Sequence, residues 1–185
     1  MDTYNQHSYT TAIGTACLAR GVYAGTINLP QTGQSTTYAV GDDGAILAGV
    51  AWPEPRFTDN GDGTVTDNPT GLMWTKDANL AGTLTWQGAL NYVASMNTGG
   101  GTYGYTDWRL PNINELESLV DRERYDPSLP SGHPFTNVHS FFYWSSTTLV
   151  SSTSSAWLVG MDFGTVFADT KSNYNNYVWP VRAGQ

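Results

Sequence analysis

Three aspartates, Asp59, Asp62 and Asp67, crowd one short segment, and the first chemistry they suggest is a hard divalent cation held by oxygen. The segment lacks the glutamate that closes a calcium loop, and Asn60-Gly61-Asp62-Gly63 supplies the positive φ angles of a tight turn. A hairpin without metal is the expectation. His7, His133 and His139 are scattered, with no acidic residue at ligand spacing, and are read as loop histidines. Cys17 is the only cysteine, which rules out an intrachain disulfide, a cysteine-paired zinc and a two-thiol centre. No nucleophile elbow and no phosphate loop occurs. No catalytic residue, metal or cofactor is assigned, and the chain is expected not to be an enzyme.

Composition points the same way. The 185 residues carry a formal net charge of −8, with only 8 Lys+Arg. An acidic surface repels phosphate backbones, so nucleic acid is not an expected partner. Charged residues make up 13%, against ~25% in ordinary soluble domains. Ser, Thr, Asn and Gly take their place, a balance that suits secreted or surface-displayed β-rich proteins. No stretch is apolar enough to insert in a membrane, and Met1 is followed by polar residues rather than a signal peptide. Display on a cell surface or a virion is the expected setting.

The elements that must position any site are partly legible. Residues 1–34 read as a peripheral extension and 35–185 as one domain. Two hairpins are expected, Tyr38–Val40 with Ala45–Leu47 and Phe57–Asp59 with Thr64–Asp67. Leu72-Met73-Trp74 reads as a third strand. Trp86, Ala89, Leu90, Val93 and Ala94 mark one helix face behind Thr85 as N-cap, with Gly99-Gly100-Gly101 as the stop. A second helix follows Pro111, with Asn112 and Glu115 as a capping box and Ile113, Leu116, Leu119 and Val120 as its buried stripe. Trp157, Val159 and Met161 alternate with Leu158, Gly160 and Asp162, the period of a strand with one face inward. Tyr177–Arg182 is the last strand. Two helices on short antiparallel strands give an α+β domain.

Several ordered motifs carry a resemblance. Phe57–Asp67 with Thr70-Gly71-Leu72-Met73-Trp74, Asp107-Trp108-Arg109-Leu110-Pro111 with Asn114-Glu115-Leu116, Tyr143–Thr147, Ala156-Trp157, Gly164 and Tyr177–Arg182 are similar to the bacterial family that includes the C-terminal domain of the Legionella collagen-like adhesin. The resemblance covers about Thr32 to Gln185. It implies a C-type-lectin-like fold of the formylglycine-generating-enzyme-like subclass and a ligand-binding role. The Glu-Pro-Asn calcium signature of sugar-binding lectins is missing, and the cysteine pair of the formylglycine-generating enzymes is absent, so that chemistry is held as remote.

The tail also resembles the variable region of retroelement-diversified proteins of the phage-tropism kind, viral or archaeal. That mechanism mutates adenines in Asn codons and cannot produce Trp, Met, Lys, Glu or Gln. From Ser145 to Val178 only Trp157, Met161 and Lys171 fall outside the reachable set. The variable region is placed at about 142–176, and its ligand-contacting candidates are Phe142, Leu149, Ser151, Ser154, Ser155, Leu158, Gly160, Asp162, Phe163, Thr165, Phe167, Asp169, Thr170, Ser172 and Tyr174. They are expected to form one exposed surface that meets a protein or glycan on a target cell. The alternative reading is a constant adhesin domain that binds glycans or matrix. Trp144, Trp157 and Trp179 are expected in the core, and Arg109 is read as structural, stacking or pairing with Asp107 or a backbone carbonyl.

Overall fold

A computed structural model describes residues 29–184. Cys17, His7 and most of the expected N-terminal extension lie outside the described residues. Among the described residues three helices, α1 (Asp43–Ile46), α2 (Trp86–Ser95) and α3 (Ile113–Glu117), accompany nine strands. The strands are β1 (Phe57–Asp59), β2 (Thr64–Asp67), β3 (Leu72–Thr75), β4 (Thr83–Leu84), β5 (Phe142–Thr148), β6 (Ser155–Gly160), β7 (Thr165–Thr170), β8 (Asn176–Tyr177) and β9 (Val181–Ala183). They form a four-stranded sheet, β1-β2-β3-β9, and a five-stranded sheet, β4-β8-β5-β6-β7. The chain is therefore α+β, as its pattern predicts. The pairing is antiparallel except at Tyr143↔Tyr177, where β5 and β8 run parallel, a departure from the all-antiparallel expectation.

The Asp59–Asp67 segment forms the expected hairpin, with Phe57 opposite Asp67. Its carboxylates are spent on local geometry. Asp59 Oδ1 accepts from Gly61 N at 3.0 Å and its Oδ2 pairs with Lys76 at 2.7 Å. Asp62 Oδ1 accepts from Thr64 N at 2.9 Å, while Asp67 turns inward to Arg56 and Thr70. The first expected hairpin does not form. Asp42 instead accepts from Tyr38 N, Ala39 N and Ala45 N, which caps the short α1. An aspartate that satisfies three backbone donors outcompetes the hairpin turn expected at Gly41–Gly44.

Both longer helices start where their caps predict. Thr85 Oγ1 accepts from Gly88 N, and α2 ends at Met96, before the glycine run. Asn112 and Glu115 form the reciprocal capping box of α3. That helix stops at Glu117, yet Leu119 and Val120 stay buried because the chain continues in tight turns that keep them against the core. Arg109 corrects its assignment: it binds Glu115 through two 2.6 Å hydrogen bonds, and Asp107 receives Arg182 instead.

Glu115 therefore serves the helix and Arg109 together. Partial burial raises its carboxyl, but the bonds from Arg109 and Asn112 N–H outweigh that and hold it below the usual carboxylate range. A depressed folded value stabilises above the unfolded pKa of ~4.3 and is lost as pH falls through the folded value. We expect Glu115→Gln to cost about 1 kcal/mol at pH 7 and to flatten the loss of stability below about pH 5. Urea denaturation at several pH values reads both effects.

The core has two parts, and the five-stranded sheet separates them. Tyr143 lies opposite Val159, and both join a cluster with Trp74, Leu116, Leu119 and Trp179. Trp144 lies opposite Leu158, and both join a second cluster with Ala89 and Val93 of α2. Successive residues of a strand point to opposite faces. The sheet is thus covered on both sides, and β6 is apolar from Ala156 to Gly160 for that reason.

Candidate functional site

The burial of β6 overturns part of the expected binding surface. Leu158 is 1% exposed and packs in the second cluster. Gly160 is also buried: a β-carbon there would lie 3.0 Å from the Phe142 ring and 2.6 Å from Asp162 Oδ1. Trp157, expected inside, is half-buried. Alternation marks sides of a strand, but it does not say that one side faces water, and here neither does. Leu158 and Gly160 cannot belong to a freely varying contact face. Gly160→Val should destabilise by ~1–3 kcal/mol through overpacking against Phe142. A thermal melt indistinguishable from wild type would show that the strand tolerates a side chain there.

The remaining candidates fall into three places along the β6–β7 hairpin. One end gathers Ser151 and Ser154, which are exposed, with half-buried Leu149 and Ser155 and, across from them, exposed Ser172 and Tyr174. Lys171 ties this end together. Its Nζ donates to Thr148 Oγ1 at 2.8 Å and to Thr153 O at 3.0 Å, and it lies 4.1 Å from the centre of the Trp86 ring. Thr170 and Asp169 are half-buried beside it, and Asp169 Oδ1 accepts from Thr170 N.

The middle carries an aromatic row. Phe142 and Phe167 meet edge-on at 5.6 Å, Phe141 meets Phe142 at 5.1 Å, and Phe141 meets Tyr177 at 6.3 Å. His139 stacks on Tyr177 at 4.3 Å with an interplanar angle of 8°. Phe141 is 49% and Phe167 50% exposed, and half-buried Thr165 lies on the same strand as Phe167. The row runs to β7, the outer strand of its sheet. Phe141, Tyr177 and His139 are absent from the residues that the sequence nominates for binding; the Phe141-Phe142 doublet is the available signal, since alternation puts the two rings on opposite sides of the chain.

The opposite end holds Phe163, 64% exposed, and Asp162, whose Oδ1 accepts from Phe163 N at 2.9 Å. Six residues of strand separate the two ends, about 17–20 Å. The candidates therefore do not make one patch: Phe142, Thr165 and Phe167 come together, the serines gather at one end, and Phe163 stands apart.

Tyr143 lies beneath the aromatic row with its hydroxyl accepting from His139 N at 2.9 Å, and burial pushes its phenol far up. Burial pushes His133 down, toward the neutral form. Among the described residues no group of three or more His, Cys, Asp or Glu is placed to hold a metal ion. No helix there is long and apolar enough to cross a membrane.

Two sheets with a covered central layer and an exposed aromatic row describe an α+β domain. A family model for the Lcl C-terminal domain matches residues 63–182, more than half of the chain. The chain belongs to that family, the one its motifs resemble. No curated protein matches it.

Proposed function

We propose that this chain is a non-catalytic ligand-binding domain of the adhesin type, with a C-type-lectin-like fold, displayed outside a cell or on a virion. It recognises a protein or glycan of a target surface, and its exposed tail residues are diversified by a retroelement. The observation that carries the binding role is the aromatic row. Half-exposed Phe141 and Phe167 with Phe142 between them form an apolar strip on a protein with little charge elsewhere. Rigid rings give contact area at small entropic cost, and the serines at the hairpin end add adaptable hydrogen bonds. The antiparallel pairing of β3 with β9 supports the fold reading, because it brings the last strand back beside an early one.

Diversification is supported by the exposure of Ser151, Ser154, Phe163, Phe167, Ser172 and Tyr174, all of reachable types. Buried Leu158 and Gly160 drop out of that set. A Phe141→Ser/Phe167→Ser variant should keep its melting temperature within a few degrees and lose at least about tenfold in target-cell binding. Undiminished binding removes the row from the interface. The gene locus decides between diversified and constant adhesin: an adenine-rich near-copy of the tail's coding region beside a reverse transcriptase supports the first.

A further inference from the structure

The Phe163 end of the hairpin opens on a cleft of about 420 Å³, lined by Tyr38, Arg122, Glu123, Arg124, Tyr125 and Phe163 among others. It lies apart from the aromatic row and shares no residue with it. Its three aromatic side chains are among the most exposed of the described residues, Tyr38 at 77%, Tyr125 at 71% and Phe163 at 64%. Exposed aromatics gathered around a concavity mark a binding site more often than chance surface.

The walls are fixed from behind. Arg122 donates through its guanidinium to Gly164 O and pairs with Glu117 at 2.7 Å, which anchors the turn beside Phe163. Glu123 Oε2 accepts from Ser35 N at 2.8 Å and from Thr36 N at 3.1 Å, which anchors the segment that carries Tyr38. Arg122 N also donates to Thr32 O at 2.9 Å.

Charge then narrows the ligand. Five of the described cations pair with a carboxylate, and Lys171 is held by Thr148 and by Thr153 O. Arg124 alone has neither kind of side-chain partner among the described residues. Around it the field is slightly acidic, because Arg122 and Arg124 face Glu117, Glu123 and Asp121, in a protein whose net charge is −8. That field disfavours a purely anionic ligand. Aromatic faces attract a diffuse cation, and a free guanidinium attracts a phosphate oxygen.

We propose that this cleft binds a zwitterionic group in which a quaternary ammonium and a phosphate stand a few bonds apart, the chemistry of phosphocholine. The ammonium sits among Tyr38, Tyr125 and Phe163, and the phosphate oxygens accept from Arg124. Tyr38 lies before the segment that matches the family model, while Tyr125 and Phe163 lie within it, so the site is a property of this chain rather than of the family segment alone.

The test is a titration of the whole chain with phosphocholine, choline, inorganic phosphate and glucuronate, followed by backbone amide shifts. Phosphocholine should give saturable shifts at Arg124, Phe163 and Gly164 in the millimolar range or tighter. Choline should bind more weakly at the same amides. Tyr125→Ala should weaken both roughly tenfold. Arg124→Gln should weaken phosphocholine several-fold and leave choline unchanged. Tyr38, Arg124 and Tyr125 are all exposed, so unchanged melting temperatures accompany their replacement. The proposal is overturned by shifts that fail to saturate at about 50 mM phosphocholine, by tighter binding of glucuronate than of phosphocholine, or by a Tyr38→Ala/Tyr125→Ala variant that binds like wild type. A Phe141→Ser/Phe167→Ser variant should bind phosphocholine normally, which separates this site from the aromatic row.

Discussion

Trp179→Ala is expected to destabilise the domain by ~3–5 kcal/mol. The side chain is fully buried at the centre of the first cluster. Its ring meets Trp74 at 5.8 Å, Phe135 at 4.8 Å and Tyr143 at 5.5 Å, so it joins both sheets and the loop that carries Phe135. Its Nε1 donates to Thr75 O at 3.0 Å, a buried carbonyl that would lose this donor. The cavity left by truncation cannot collapse, because three large rings set its walls. Trp157→Ala should cost only about 1–2 kcal/mol, since that residue is only partly buried. Urea unfolding of the two variants compares them directly. Equal losses would mean that Trp157 is as deeply packed as Trp179, and the two-cluster description would fail.

Asp67→Ala should be comparably severe, about 3–5 kcal/mol, for an electrostatic reason. Arg56 and Asp67 are both buried, 7% and 0% exposed, with Nε 3.5 Å from Oδ1. The pair is loose: neither of those two atoms makes a hydrogen bond, although Thr70 Oγ1 donates to Asp67 Oδ2 at 2.7 Å. Arg56 Nη2 donates to Ser118 O, and its guanidinium lies 3.9 Å from the centre of the Trp52 ring. Burial pushes the Asp67 carboxyl up and the Arg56 guanidinium down, so desolvation outweighs the attraction on both sides. Removing the carboxylate leaves a buried cation without its counter-charge, the costly half of such a pair.

The sign with pH follows from the raised carboxyl. The folded state binds that proton more tightly than the unfolded chain, so this group's contribution improves as pH falls through the folded value toward the unfolded one. It thus opposes Glu115. Arg56→Met/Asp67→Leu should recover most of the loss, because matched apolar side chains avoid the desolvation. A double variant no more stable than Asp67→Ala would show that the ion pair itself is favourable.

Sequence alone determined the features whose causes are local. Thr85 and Asn112 cap their helices because short polar side chains reach backbone N–H groups two or three residues on, whatever the rest of the chain does. Asn60-Gly61-Asp62-Gly63 makes its turn because glycine accepts positive φ, as Gly61 at 78° and Gly63 at 92° do. The ordered motifs placed the chain in its family. Local competition already misled at Asp42, where hairpin letters concealed a helix cap.

Tertiary structure decided what covers each face. Period 2 in Trp157–Asp162 assigns residues to two sides, but only the packing of α2 on one side of β6 and of the Trp179 cluster on the other shows that Leu158 and Val159 are both covered. A side chain's exposure depends on elements far away in sequence, and no short window contains them. For the same reason Phe163 parted from Phe167, and Tyr38 met Tyr125 around one cleft. Residues distant in the chain become neighbours only when pairing and packing bring them together, and the surfaces assigned to binding here are made of such neighbours.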